Sequence, residues 1–309
     1  MANFESSFEF PDAVQSFSIE NTNVRGRLVR LGKAYEKILN KHNYPTQVAS
    51  LIGELTAMSV SLADSLKYHG QFILQTQSTG PVDMMVANVT SKGTLRSYAR
   101  YDIKKFENTT MQNSIPCLLG NGHIAFTVDQ GKDTERYQGI TPLEGSNLAE
   151  CAQNYFRQSE QIETAILLTA DPEKKRAAAL MIQKMPISRI KSFQTNSPFY
   201  EDDEENWRNA VILMSSTKAL ELLDPQLEAN DLLFRLFHES GLRLYNKKSL
   251  TYKCPCSKEK LATILASFSP KEIEGMKTNE GLVTSNCEFC GTIYKFNDEA
   301  LNVIRNNIT

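Results

Sequence analysis

The apolar positions change period along the chain. Residues 17–31 are rich in β-branched and apolar side chains around Gly26 and read as a strand feeding a helix, where Leu31, Tyr35, Ile38 and Leu39 recur at helical spacing. Asn43-Tyr44-Pro45 breaks that helix. A second starts at once, with Val48, Leu51, Ile52, Leu55, Leu62 and Leu66 on one face. The period then drops to two. Phe72 and Leu74 precede a Ser78-Thr79-Gly80-Pro81 turn, Val82, Met84 and Val86 alternate after it, and further strands are predicted over 95–101 and through Ile124, Phe126 and Val128. A helix over 146–161 buries Leu148, Ala152, Tyr155 and Phe156, and strand-like runs follow over 162–170 and 177–183. Residues 1–186 therefore predict an α+β domain with one largely antiparallel sheet.

Beyond Pro186 the pattern turns helical again. Helices are predicted over 202–223 and 226–238, with Trp207, Val211, Met214, Leu220 and Leu223 on one stripe and Leu232, Leu233, Leu236 and Phe237 on another. Residues 187–240 read as a helical linker, and the acidic run Glu201 to Glu205 as a solvated helix start where acids suit the dipole. Residues 241–309 form a further small domain. Leu242, Leu244, Leu250 and Tyr252 suggest a hairpin around Asn246-Lys247-Lys248, Ser257 can cap a helix, and Ser269-Pro270-Lys271-Glu272 has the form of a capping box.

That last segment holds four of the six cysteines, as Cys254-Pro255-Cys256 and Cys287-Glu288-Phe289-Cys290. A Cys-x-x-Cys turn followed by glycine, here Gly291, lets two sulfurs converge while backbone amides point at them. Zinc favours four thiolates in a tetrahedron. A domain of this size is short of core, so one zinc ion per chain on Cys254, Cys256, Cys287 and Cys290 is expected to staple it. Spacing alone leaves two uses open, a purely structural module or a redox sensor whose thiolates oxidise to sulfenic acid and then to disulfide. Hydrolytic zinc chemistry is disfavoured, because four sulfurs leave no position for water. Cys151 shares a helical face with Leu148 and Tyr155 and reads as core, as do Met84, Met85, Met181 and Met185. Cys117 has no partner motif, and His238 suits a helix C-terminus better than a fifth ligand position.

Composition narrows the field. A net charge of −2 and a pI near 6.2 argue against a nucleic-acid or anionic-membrane protein, although Lys247, Lys248, Lys253, Lys258 and Lys260 keep a nucleic-acid-binding zinc module as the alternative. The start MANFESSFEF lacks the basic and apolar parts of a secretion signal, and no apolar run reaches the ~18–20 residues of a membrane span. Cytoplasm is the expected location, where clustered cysteines mean metal or redox chemistry. No phosphate-binding loop, dinucleotide fingerprint, metalloprotease helix or nucleophile elbow is found, and no enzymatic role is expected.

Taken together, Cys-x-Cys-Ser over 254–257, the distant Cys-x-x-Cys and the preceding Leu236-Phe237-His238-Glu239 resemble the heat shock protein 33 family of redox-regulated holdase chaperones. Further matches are Tyr44-Pro45 followed by Gly53-Glu54, the stretches 67–70 and 75–81, Ser159-Glu160-Gln161 before Thr164, and Trp207. The resemblance covers nearly the whole chain. It implies an ATP-independent chaperone of the stress response, idle while reduced and zinc-bound. Oxidation would pair Cys254 with Cys256 and Cys287 with Cys290, eject zinc, unfold the zinc domain and linker, and expose surface that holds unfolding client proteins, with dimers in the active state. Two positions depart from the family: Pro255 replaces a basic or polar residue, and Ala177-Ala178-Ala179 a more glycine-rich run.

Overall fold

The computed structural model describes residues 10–20, 22–107, 115–131, 134–186 and 203–300. It divides into two compact units, Met1–Tyr252 and Lys253–Thr309. In chain order the first contains β1 (Ala13–Ile19), β2 (Val24–Leu31), α1 (Lys33–Leu39), α2 (Thr46–Ser65), β3 (Gln71–Ser78), β4 (Val82–Thr90), β5 (Thr94–Tyr101), α3 (Ile103–Glu107), α4 (Ile115–Leu118), β6 (Gly122–Asp129) and β7 (Tyr137–Pro142). There follow α5 (Leu148–Tyr155) with a π-helical turn (Phe156–Glu160), β8 (Thr164–Asp171), β9 (Arg176–Lys184), α6 (Asp203–Ser215), α7 (Ala219–Leu222), α8 (Ala229–Phe237), β10 (Leu242–Leu244), β11 (Lys248–Ser249) and β12 (Thr251–Tyr252). The second unit has α9 (Lys258–Ala266), α10 (Pro270–Gly275) and a hairpin of β13 (Val283–Asn286) and β14 (Ile293–Phe296).

The α+β class is as expected, but the first unit holds two sheets where the alternation suggested one. Their orders are β10-β1-β2-β9-β8, with β11 also on β1, and β12-β5-β4-β3-β6-β7. All pairings in them are antiparallel except β12 on β5. The helix α2 explains the pair. It is buried on every side rather than along one stripe, and a helix apolar all round belongs inside a core. The hydroxyls of Thr56, Ser59 and Ser61 bond back to the carbonyls four residues earlier and so enter that core satisfied. Leu66, expected on the buried face, lies just past the helix end and is exposed.

Local details revise three further expectations. The pairing of β4 with β5 shifts register between Val82 and Met84, so the inward set becomes Val82, Met85, Ala87 and Val89, and Met84 and Val86 turn to the other face. Met85 and Met181 do fill core, while Met84 and Met185 are half-buried. The 242–252 stretch is not a hairpin. β10 and β11 both pair with β1, as one interrupted strand broken at Tyr245, whose amide bonds Ser16 O and whose carbonyl accepts from Gln15 Nε2. For that reason the boundary between the units falls after Tyr252 and not at 241.

The segment expected as a linker also does more than connect. Residues 187–202, with Glu201 and Asp202, lie outside the described residues. Over the rest, α6, α7 and α8 place Ala210, Met214, Leu222, Leu232, Leu233, Leu236 and Phe237, with half-buried Trp207, against Phe17, Ile19, Leu28, Ala178, Leu180 and Ile182 of the first sheet. Gly26 is required there: opposite it in register, the Phe17 ring lies where a Cβ would stand, and the same ring stacks on Phe237 at 5.4 Å. Ala177 and Ala179 face the α2 side and Ala178 the helix side, all three fully buried, so methyl groups fill both faces of β9. Asp203 and Glu204 at the start of α6, from the predicted acidic helix start, share Lys184. Among the described residues no helix is long and apolar enough to cross a membrane.

Candidate metal centre

In the second unit, apolar burial is thin: Ala262, Leu265, Ile273, Val283 and Phe296 are its buried hydrophobic residues among those described. Both predicted caps are formed. Ser257 accepts from the Lys260 amide at the start of α9, and Ser269 and Glu272 exchange reciprocal bonds around Pro270 at the start of α10.

The four cysteines are brought together by these small elements. Cys287 and Cys290 sit in the turn joining β13 to β14, closed by Cys287 N to Thr292 O (3.0 Å), Cys290 N to Cys287 O (3.2 Å) and Gly291 N to Cys287 O (2.8 Å). Gly291 has a φ of +68°, the left-handed region that favours glycine, which the sequence places after the second sulfur. The amides of Cys290 and Phe289 point at Cys287 Sγ. Cys254 and Cys256 lie on the extended segment that ends at the Ser257 cap. All four Sγ atoms fall within 4.8 Å of one another and are half-buried. The approaches Cys254–Cys287 and Cys256–Cys290 are 3.7 and 3.3 Å. Sulfurs on a tetrahedron around zinc, at Zn–S near 2.3 Å, stand about 3.8 Å apart. The donor set therefore fits a tetrahedral thiophilic ion.

Electrostatics favour a cation as well. Burial and the crowding of neighbouring thiols push Cys256 up to about 12 and raise Cys287. At Cys290 burial is outweighed by hydrogen bonds involving Thr292, Cys256 and Cys287, which bring it down to about 6. One thiolate is thus accommodated by the protein alone, while several so close together repel without a counter-charge.

Two neighbours were not anticipated. Tyr294 donates its hydroxyl to Cys256 Sγ at 3.2 Å, and Thr292 Oγ1 lies 3.2 Å from Cys290 Sγ. The alternation of β14, which puts Tyr294 on the inward side with Phe296, is the signal that could have found the first. The remaining candidates sit elsewhere. Cys151 is fully buried in the core of the first unit, Cys117 is half-buried on α4, and His238 Nδ1 meets Phe234 O at 2.9 Å at the end of α8. Of the five lysines behind the nucleic-acid alternative, Lys248 pairs with Asp64, Lys258 lies over the Phe296 ring and Lys260 bonds Pro255 O.

Comparison with known proteins identifies the family. The family model described as Hsp33 protein matches residues 12–297. A 33 kDa chaperonin of Caulobacter vibrioides is 37% identical over 293 residues, covering 92% of this chain and 94% of that protein. One from Shewanella sediminis is 34% identical over 296 residues, with 96% of each covered. The crystal structure of a 33 kDa chaperonin (heat shock protein 33 homolog) from Thermotoga maritima superposes with a TM-score of 0.76 over 96% of this chain and 99% of that one, a likeness of fold at 22% identity. With a family match that runs through both units and ends beyond the last cysteine of the cluster, the chain belongs to the Hsp33 family of 33 kDa chaperonins, a chaperone family without enzymatic activity.

Proposed function

We propose that this protein is a redox-regulated, ATP-independent holdase whose switch is the four-cysteine cluster. The observation that carries the reading is the convergence of all four sulfurs in a unit with so little apolar core. Cys254, Cys256, Cys287 and Cys290 hold one zinc ion per chain in the reduced, idle state, and the bound ion supplies folding energy to the unit. Peroxide converts one thiolate to a sulfenic acid and leaves as hydroxide. A neighbouring thiolate then attacks that sulfur, forming a disulfide and expelling a second hydroxide. Two such events consume all four ligands, so the ion is lost and the unit loosens.

By resemblance to the family, the bridges are Cys254–Cys256 and Cys287–Cys290, and the helices over 203–237 then release the apolar face they cover, to which unfolding client proteins bind. The active form is a homodimer, and the site of action is the cytoplasm. The rival nucleic-acid module is disfavoured by the engagement of Lys248, Lys258 and Lys260 within the chain.

The test is an aggregation assay with an unfolding client, run on reduced and peroxide-treated protein without ATP, with released zinc and disulfide-linked peptides measured together. Oxidised protein should suppress aggregation and release one zinc per chain. Activity that appears with zinc and all four thiols intact would refute the switch. Peptide mapping separates the within-motif bridges from cross-motif ones, which the 3.7 and 3.3 Å approaches also permit.

A further inference from the structure

The seam between the first sheet and the helices over 203–237 is largely apolar; Lys184 and Asn23 meet the start of α6 at one end of it, and a second polar contact is made by two arginines over the α7–α8 connection. Arg30 on β2 is 2% exposed, and a buried guanidinium must find acceptors or carry a large desolvation cost. Its bonds do not go to the sheet. Nη1 donates to Leu227 O at 2.6 Å and Nη2 to Glu221 O at 3.1 Å. Arg176 on β9 donates through Nη1 to Leu223 O at 3.2 Å. Between them the Phe10 ring is shared, with the Arg30 guanidinium 5.3 Å and the Arg176 guanidinium 5.4 Å from its centroid.

We infer that Arg30 and Arg176, with Phe10 between them, form a two-pronged latch that holds the α7–α8 connection on the sheet through the carbonyls of Glu221, Leu223 and Leu227. The inference rests on the proposed release of these helices and names what regulates it. α7 is a single turn; Glu221 O takes Arg30 in addition to backbone amides that follow it, and Leu223 O and Leu227 O, beyond the helix, take their donors from the sheet. The prongs act in both directions. Docked, they add directional bonds that fix where the helices lie, which a purely apolar seam cannot do. Undocked, the guanidinium recovers its hydration, so the latch opposes release less than an apolar plug of the same area would. Burial already holds Arg30 down to about 10, as expected of a cation that gains by reaching water.

Hydrogen exchange on the full-length, reduced, zinc-loaded protein tests the latch without any client, so its outcome does not depend on whether oxidation releases the helices. In Arg30→Met and Arg176→Met, which keep the aliphatic bulk and remove the donors, amides over 219–237 should exchange at least tenfold faster, with α2 and the β3–β4 pair unchanged. Arg30→Lys, with a single ammonium, should fall between. Parental exchange over 219–237 in both methionine variants would overturn the inference. So would a loosening that spreads equally to α2 and β3–β4, which would make the arginines general core residues.

Discussion

Glu54 lies half-buried on α2, and no hydrogen bond or ion pair reaches it among the described residues. Burial pushes its carboxyl up to about 7. The folded state therefore holds this proton more tightly than the unfolded chain does. Its contribution to stability is complete below the ordinary carboxylate range near pH 4.5 and is lost as pH rises towards about 7. A shift of this size corresponds to on the order of 3 kcal/mol. Urea unfolding of reduced protein should show stability falling from pH 5 to pH 8, and Glu54→Gln should flatten that slope and be the more stable form at pH 8. A variant with the parental slope would place the titration elsewhere. At this scale the sequence was informative where chemistry is local. Cys287, Cys290 and Gly291 announce a metal turn by spacing alone, and Cys151 announces core by its face. Tyr294 and Thr292 were not readable as cluster neighbours, because their contacts depend on how the β13–β14 turn presents the sulfurs.

Among the elements, α6, α7 and α8 span 13, 4 and 9 residues. Helices of this length are marginal alone in water, so their order depends on the sheet face they cover. Trp207 packs at that seam and reports on it. If the helices leave on activation, Trp207 emission should shift red when zinc is lost to peroxide, and protease cuts should appear between 187 and 240 before any within β3 to β6. Protection of this stretch in zinc-free, active protein would place client binding elsewhere. The apolar stripes of these helices were legible, since the 3.6-residue period is a property of the helix itself, except at Leu220, which is exposed because the helix predicted over 202–223 breaks between α6 and α7 and shifts the phase. A partner in the first domain was expected for them, but which strands supply it was not legible, because those strands lie far away in sequence. The same limit applies to Val82–Val86, where alternation identified a strand but a register shift set by β5 decided which side faces in. It applies again to β10 and β11, which look like two arms of a hairpin and instead share β1.

For the molecule as a whole, the division after Tyr252 has a direct test. Leu250 is 6% exposed within the main core, its amide bonds Asp12 O at 2.9 Å, and β10 to β12 pair with β1 and β5. A fragment ending at 252 should fold without zinc. One ending at 240 should be less stable by several kcal/mol, since loss of a buried leucine alone costs about 2–5 kcal/mol. Equal urea midpoints for the two would show that these strands only decorate the edge. A further consequence of this interrupted strand is mechanical. β12 is held on β5 by two residue pairs, and β11 on β1 by two more. Any tension carried along the backbone from Cys254 meets these short pairings in series, with the Leu250 anchor between them, before it reaches α8. Pulling on the chain at Cys254 should therefore peel β12 from β5 first, then free Leu250, then part β11 from β1, with the three residue pairs of β10 the last to open before α8 is reached.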